Sequence, residues 1–212
     1  MEKIIKKFPD SHKMEVKFTK EKIELQKELN SLDGFVIDFS AVLTKLNLKY
    51  VIVSGYVSIL FGRSRSSEDV DIILEKISIS EFRMLWQKLQ REFECIITED
   101  SDTAYNEYLL TGHAIRFSRK GAFVPNIEIK FPKIDLDRWT IDNRKEVILN
   151  GNTLLISPLE LQIPFKLFLG SEKDIEDARH LYRLFKNHLN MALLEGFNRK
   201  LNIEKMFIRY LK

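Results

Sequence analysis

Two aspartates, Asp69 and Asp71, flank Val70 at the start of a run that turns wholly apolar through Ile72, Ile73 and Leu74. Residues two apart on a strand project from one face, so the two carboxylates would stand side by side while Val70 and Ile72 pack on the other. Their mutual repulsion calls for a cation between them, and oxygen-only ligation of this kind suits Mg²⁺ or Mn²⁺. Upstream, Tyr50-Val51-Ile52-Val53 ends at Ser54-Gly55. A glycine there permits a sharp turn with amide N–H groups at the start of a helix, where an anionic phosphate binds well. Arg63 and Arg65 lie between the two strands, placed to neutralise phosphate charge. Each feature alone has a plain structural explanation, as solvated charges at a strand edge or as an ordinary turn glycine. Their order along the chain is what points to a shared site.

Candidates farther along extend the set. In Asn126-Ile127-Glu128-Ile129-Lys130 the isoleucines face the core, which leaves Glu128 and Lys130 on the opposite face, where a base or metal ligand has to be. A routine exposed Glu-Lys face reads the same way. Asp135 and Asp137 are weaker rivals in an expected loop. Lys166 could reach a phosphate from a helical arm. Lys173 and Asp174 open the next helix, where Asp174 suits the helix dipole, and capping plus salt bridging explains that group equally well. His12, His113, His180 and His188 have no metal-like spacing. Cys95 alternates with Phe93 and Ile97 and is expected to pack as a small hydrophobe, and Trp86 and Trp139 are expected in the core.

These residues need elements to hold them. After a polar opening (1–17), apolar spacing predicts a helix over Thr19–Asn30 and a second over Leu32–Leu46, with a break near Asp33-Gly34. Tyr50–Val53 is a strand, Tyr56–Phe61 a short helix closing at Gly62, and Asp69–Leu74 a strand entering from solvent. Ser80–Arg91 is an amphipathic helix with Ser78 or Ser80 as its cap. Strands are expected at Phe93–Thr98, Tyr108–Leu110, His113–Ser118 and Asn126–Phe131, building one sheet. Glu146–Leu149 and Thr153–Ile156 form a hairpin about Asn150-Gly151-Asn152. Ser157-Pro158 reads as the N-cap and first residue of a helix to Leu169, followed by Asp174–Lys186 and two more helices. The chain is thus expected to divide into a core with N-terminal helices (1–137) and a hairpin-plus-helical region (138–212).

The bulk properties set broad limits. With 212 residues, 44% hydrophobic and 31% charged, the chain can bury a self-sufficient core and lacks the polar bias of a disordered one. A single cysteine excludes an internal disulfide framework and a zinc finger. With no continuous apolar leader, the expected setting is reducing and cytoplasmic, with no membrane partner. A net charge of +3 is too small to argue nucleic-acid binding from balance, although lysines gather in residues 1–27, where RNA, DNA or a nucleotide would be tolerated.

The order of glycine turn, short helix and Asp-x-Asp resembles the polymerase-β-like nucleotidyltransferase superfamily. Gly62-Arg63-Ser64-Arg65-Ser66-Ser67-Glu68-Asp69-Val70-Asp71 is most similar to the AbiEii-type toxin group, with Ser67 where that group has Thr. A second likeness runs from Ser157-Pro158-Leu159-Glu160-Leu161 through Lys166 to Lys173-Asp174-Ile175-Glu176-Asp177, so the resemblance spans about Tyr50 to Leu184. It implies an α+β fold: a mixed sheet with flanking helices plus a helical C-terminal region. It further implies metal held by Asp69, Asp71 and Glu128, with Ser54, Gly55, Tyr56, Arg63, Arg65, Ser67, Lys166, Lys173 and Asp174 around the nucleotide. The activity implied is transfer of a nucleoside monophosphate from an NTP to an acceptor hydroxyl on an RNA end, a protein or a small molecule, with Mg²⁺ or Mn²⁺ as cofactor and an antitoxin as partner. One departure stands out. Many of these enzymes place Ser directly after the turn glycine, whereas this chain has Tyr56 there and Ser54 before it, which suits a catalytically silent binding module of the same fold. An RNA-binding adaptor using the lysine-rich start is a second rival.

Overall fold

In the computed structural model, residues 5–7, 14–19 and 22–212 are described, and the lysine-rich opening of the chain lies in part outside them. The strands are β1 (Ile5–Lys7), β2 (Glu15–Phe18), β3 (Lys22–Gln26), β4 (Tyr50–Val53), β5 (Asp69–Leu74), β6 (Phe93–Cys95), β7 (Ile115–Arg119), β8 (Asn126–Lys130), β9 (Lys145–Leu149) and β10 (Asn152–Ile156). They join in one sheet in the order β1-β2-β3-β9-β10-β4-β5-β8-β7-β6. The β3–β9, β10–β4 and β5–β8 pairs are parallel and the rest antiparallel, so the sheet is mixed. The helices are α1 (Ser31–Lys45), α2 (Gly55–Leu60), α3 (Ile79–Leu89), α4 (Ser101–Thr103), α5 (Asp135–Asp142), α6 (Leu159–Leu169), α7 (Glu172–Phe185), α8 (Met191–Lys200) and α9 (Glu204–Leu211). The fold class is α+β, with the last helices gathered at the C-terminal end of the chain.

Strand alternation decides which face is which. Tyr50, Ile52, Val70, Ile72, Leu74, Ile127 and Ile129 share the main core with Phe35, Phe39 and Leu43 of α1, Val57 and Leu60 of α2, and Phe82 and Leu85 of α3. Each such apolar side chain, fully buried, contributes about 1.5–3 kcal/mol against its exposed state. The opposite face carries a small second cluster, Val51 and Ile73 against Ile141 of α5, with Val53 packed at its edge. Along β5 this face continues outward from Ile73 to half-buried Asp71 and exposed Asp69. The core therefore positions the acidic pair from behind while leaving its own face open.

Several expectations need correction. Thr19–Asn30 is not a helix: β3 occupies Lys22–Gln26, with Ile23 and Leu25 buried in alternation and Leu29 exposed. The period-two signal of Ile23 and Leu25 wins because β2 and β9 flank them. Asp33-Gly34 is no break either. It lies in the first turn of α1, where Asn30 and Asp33 form a reciprocal capping box. Tyr108–Leu110 lies not in a strand but in and just after a π-helical turn, Ala104–Leu109, that buries Tyr105 and Leu109. Asp135 and Asp137 sit in the first turn of α5, where Asp137 accepts from the Lys133 amide at 2.8 Å. Pro158 is the N-cap position of α6 rather than its first helical residue. The 145–156 hairpin and the Ser78-capped helix α3 stand as expected. Among the described residues no helix is long and apolar enough to cross a membrane.

Candidate active site

The parallel register of β5 and β8 sets Asp69 opposite Asn126 and Asp71 opposite Glu128. Neighbouring strands lie about 4.8 Å apart and paired residues share a face, so Asp69, Asp71 and Glu128 converge. The join is fixed at its start, because the Asn126 amide N–H donates to the Glu68 carbonyl at 2.8 Å. Burial pushes the Asp71 carboxyl above its ordinary value. The charge of Lys130 opposes that rise, while Glu128 and Asp69 add to it and a hydrogen bond from Ser54 eases it. Ser67 steadies the exposed partner, its hydroxyl donating to Asp69 Oδ1 at 3.3 Å. Glu128 is engaged from the other side: Arg116, its cross-strand partner on β7, donates to Glu128 Oε2 from Nη2 at 2.9 Å and from Nε at 3.1 Å.

Hard oxygen donors crowded onto one strand face, with Asp71 disfavoured as an anion by burial and by its neighbours, are the chemistry a divalent cation relieves, and in that sense the residues fit Mg²⁺ or Mn²⁺. Among the described residues, no three His, Cys, Asp or Glu side chains gather closely enough to ligate one ion as they lie. Asp69 and Asp71 are the pair left for a cation, with Glu128 held by Arg116 beside them.

The turn after β4 adjoins this group, since Val53 is the register partner of Asp71. Ser54 takes φ 63° and ψ −132°, a conformation that a non-glycine residue holds at a cost of roughly 1–3 kcal/mol. Gln162 of α6 grips it on both sides: the Gln162 carboxamide donates to the Ser54 carbonyl at 2.8 Å and accepts from the Ser54 amide at 3.3 Å. Gly55 has ordinary backbone angles, and a Cβ there would lie 2.0 Å from Arg65 Nη2, so any side chain would have to displace that guanidinium. Tyr56 turns away from the site. Its ring is fully buried and its hydroxyl donates to Asp33 Oδ1 at 2.9 Å, an oxygen that also accepts from Lys27 Nζ at 2.9 Å. Burial, and then the Asp33 carboxylate, push the Tyr56 hydroxyl well up, so it remains a donor. Only the Tyr56 backbone faces the turn.

The expected phosphate-neutralising cations form an internal network. Asp177 of α7 is fully buried, with Lys166 Nζ at 3.1 Å, Arg65 Nε at 3.4 Å and Arg63 Nε at 3.8 Å from its carboxylate. Lys166, itself buried, donates to Asp174 Oδ1 at 2.5 Å. Burial would raise the Asp174 carboxyl, but the bonds from Lys166 and Ser171 outweigh it and hold the group below its ordinary value. These groups lie next to the loop that leads into Asp69, with the Glu176 carboxylate also within electrostatic reach of Arg63. Lys173 is exposed and adds only its charge to Asp174.

Arg116, Gln162 and the depth of Asp177 were missed as site residues. Arg116 and Glu128 both lie on the outward-facing positions of their strands, and Gln162 is a polar residue among buried apolar ones in α6; each is a signal, but none says what it meets. Asp177, three residues after Asp174, shares that helix face.

No protein-family model matches the chain, and no curated protein matches it. Among solved structures the chain is similar to an antigenic nucleotidyltransferase-like protein from Paracoccidioides brasiliensis, at 19% identity over 83% of this chain and 91% of that one, with a TM-score of 0.49. It is also similar to the antibiotic-resistance factor ANT(2″)-Ia, at 10% identity over 83% of this chain and 94% of that one, with a TM-score of 0.48.

Proposed function

We propose that the chain is a metal-dependent nucleotidyltransferase that moves a nucleoside monophosphate from an NTP to an acceptor hydroxyl. The observation that carries this reading is the register of β5 on β8, which brings three carboxylates to one face directly beside the strained Ser54-Gly55 turn. Asp69 and Asp71 would hold a Mg²⁺ or Mn²⁺ ion, which when bound supplies charge neutralisation and polarisation at the phosphates. The turn backbone takes the triphosphate, while Arg65, held over Gly55, contributes positive potential. The acceptor oxygen forms a bond to the α-phosphorus as the bond to the bridging oxygen breaks, and pyrophosphate leaves. Glu128, freed from Arg116, takes the acceptor's proton. The acceptor class we assign is a hydroxyl of an RNA end, a protein or a small molecule.

The test is transfer of label from each α-³²P-NTP, scored with pyrophosphate release, in the presence of cellular RNA, protein or small-molecule fractions. Label transfer by the wild-type protein that is lost in Asp71→Asn supports the reading. Saturable, metal-dependent NTP binding with no transfer to any fraction would favour the silent binding module.

A further inference from the structure

We propose that Gln162 is the positioning residue of this site: it clamps Ser54 in a conformation serine does not keep unaided, and so sets the turn that meets the nucleotide's phosphates. The assignment rests on the nucleotidyltransferase reading above.

The clamp is built from one side chain. Gln162 is 3% exposed, in the first turn of α6 between Leu161 and Ile163, both buried. A carboxamide in such surroundings needs a partner for each end, and both ends go to the same residue 108 positions earlier. An uncharged amide can accept from an N–H through its oxygen and donate to a C=O through its nitrogen at once. A carboxylate would lose the donor and an ammonium the acceptor. The grip is on main chain alone, so it reads the conformation of residue 54 and not its side chain.

That conformation matters because of what lies on either side. Val53 is the register partner of Asp71, which places Ser54 at the end of β4 beside that carboxylate. Gly55 follows at once, with Arg65 against it. The turn has no side-chain cap to hold it, and Ser54 has the positive φ that glycine adopts freely and serine does not. Release of Ser54 would let its peptide planes relax, moving the amides that follow.

The experiment is a double-mutant cycle on Gln162→Met, which keeps size and loses both bonds, and Ser54→Gly, which reaches the same backbone angles without a clamp. The readouts are calorimetric affinity for the four NTPs with Mn²⁺, and melting temperature in the same samples. Q162M is expected to weaken nucleotide binding by about ten- to a hundredfold, the loss seen when supports of a metal site are removed. In the S54G background the same substitution should change affinity little, a non-additivity that a purely structural glutamine would not produce. Wild-type affinity in Q162M, or an equal penalty in both backgrounds, would overturn the assignment alone. Should Q162M fail to fold, Gln162→Glu keeps the acceptor for the Ser54 amide and is expected to show an intermediate loss; unchanged affinity there also overturns it. No nucleotide binding by the wild-type protein would overturn the parent reading, and this assignment with it.

Discussion

Asp71 is disfavoured as an anion by its surroundings. Burial first, then the neighbouring carboxylates, raise its folded value above the ordinary 3.8. The folded protein therefore binds that proton more tightly than the unfolded chain, a contribution present at low pH and lost as pH rises through the folded value. Above it the ionised carboxylate costs stability. Asp71→Asn should melt higher than wild type at pH 7–8, with the gap closing towards about pH 4, where aspartate is protonated in the unfolded chain; thermal unfolding from pH 3.5 to 8 checks this. The same substitution should abolish metal-dependent nucleotide binding, so stability and function move in opposite directions. Tyr56→Phe makes the contrasting case. Losing its bond to the Asp33 carboxylate should cost roughly 1.5–3 kcal/mol in chemical denaturation and leave nucleotide affinity unchanged. Asp69 and Asp71 are legible in the sequence because they alternate with buried Val70 and Ile72. The direction of Tyr56 is not, because a six-residue helix shows no face until the core it enters is known.

At the scale of elements, α7 holds the loop between α2 and β5 through the charge of Asp177. Asp177→Ala would leave Arg63, Arg65 and Lys166 with Asp174 as their one remaining carboxylate in this network. Removing one partner of a buried ionic group typically costs about 3–5 kcal/mol. The predicted result is a fall of that size in unfolding free energy, with NTP affinity weakened because Arg65 no longer lies fixed over Gly55. Asp177→Asn, which keeps volume and one acceptor oxygen but loses the charge, should fall between. A stable D177A protein with intact affinity would mean the network is incidental. Lys166 and Asp174 stood out in the sequence as a motif, yet their spacing could not say whether they face a phosphate or each other. β3 was misread for a related reason. Ile23, Leu25 and Leu29 fit a helix or a strand by spacing, and the partner that decides, β9, comes some 120 residues later.

At the scale of the molecule, the 145–156 hairpin sits in the middle of the sheet, between β3 and β4, although its sequence reads as the start of a separate region. A fragment of residues 1–137 would expose both those strand edges and lose the helices that grip Ser54 and Arg65. It is expected to be insoluble or non-cooperative in its unfolding, whereas the full chain should melt in one transition; a folded, cooperative fragment would contradict this. Topology of this kind is hidden from local sequence patterns, which read each strand well and its neighbours poorly. On this account metal and nucleotide bind together at Asp69 and Asp71. The most direct test is thermal unfolding with each NTP, with and without Mg²⁺ or Mn²⁺, in wild type and in Asp69→Asn/Asp71→Asn. At about a hundred times its dissociation constant a ligand adds roughly 2.7 kcal/mol, a rise of roughly 5–10 °C for a chain of this size. A metal-dependent shift with at least one NTP that vanishes in the double mutant is the predicted result. Equal shifts in both proteins, or none with any nucleotide in a folded wild-type sample, would contradict it.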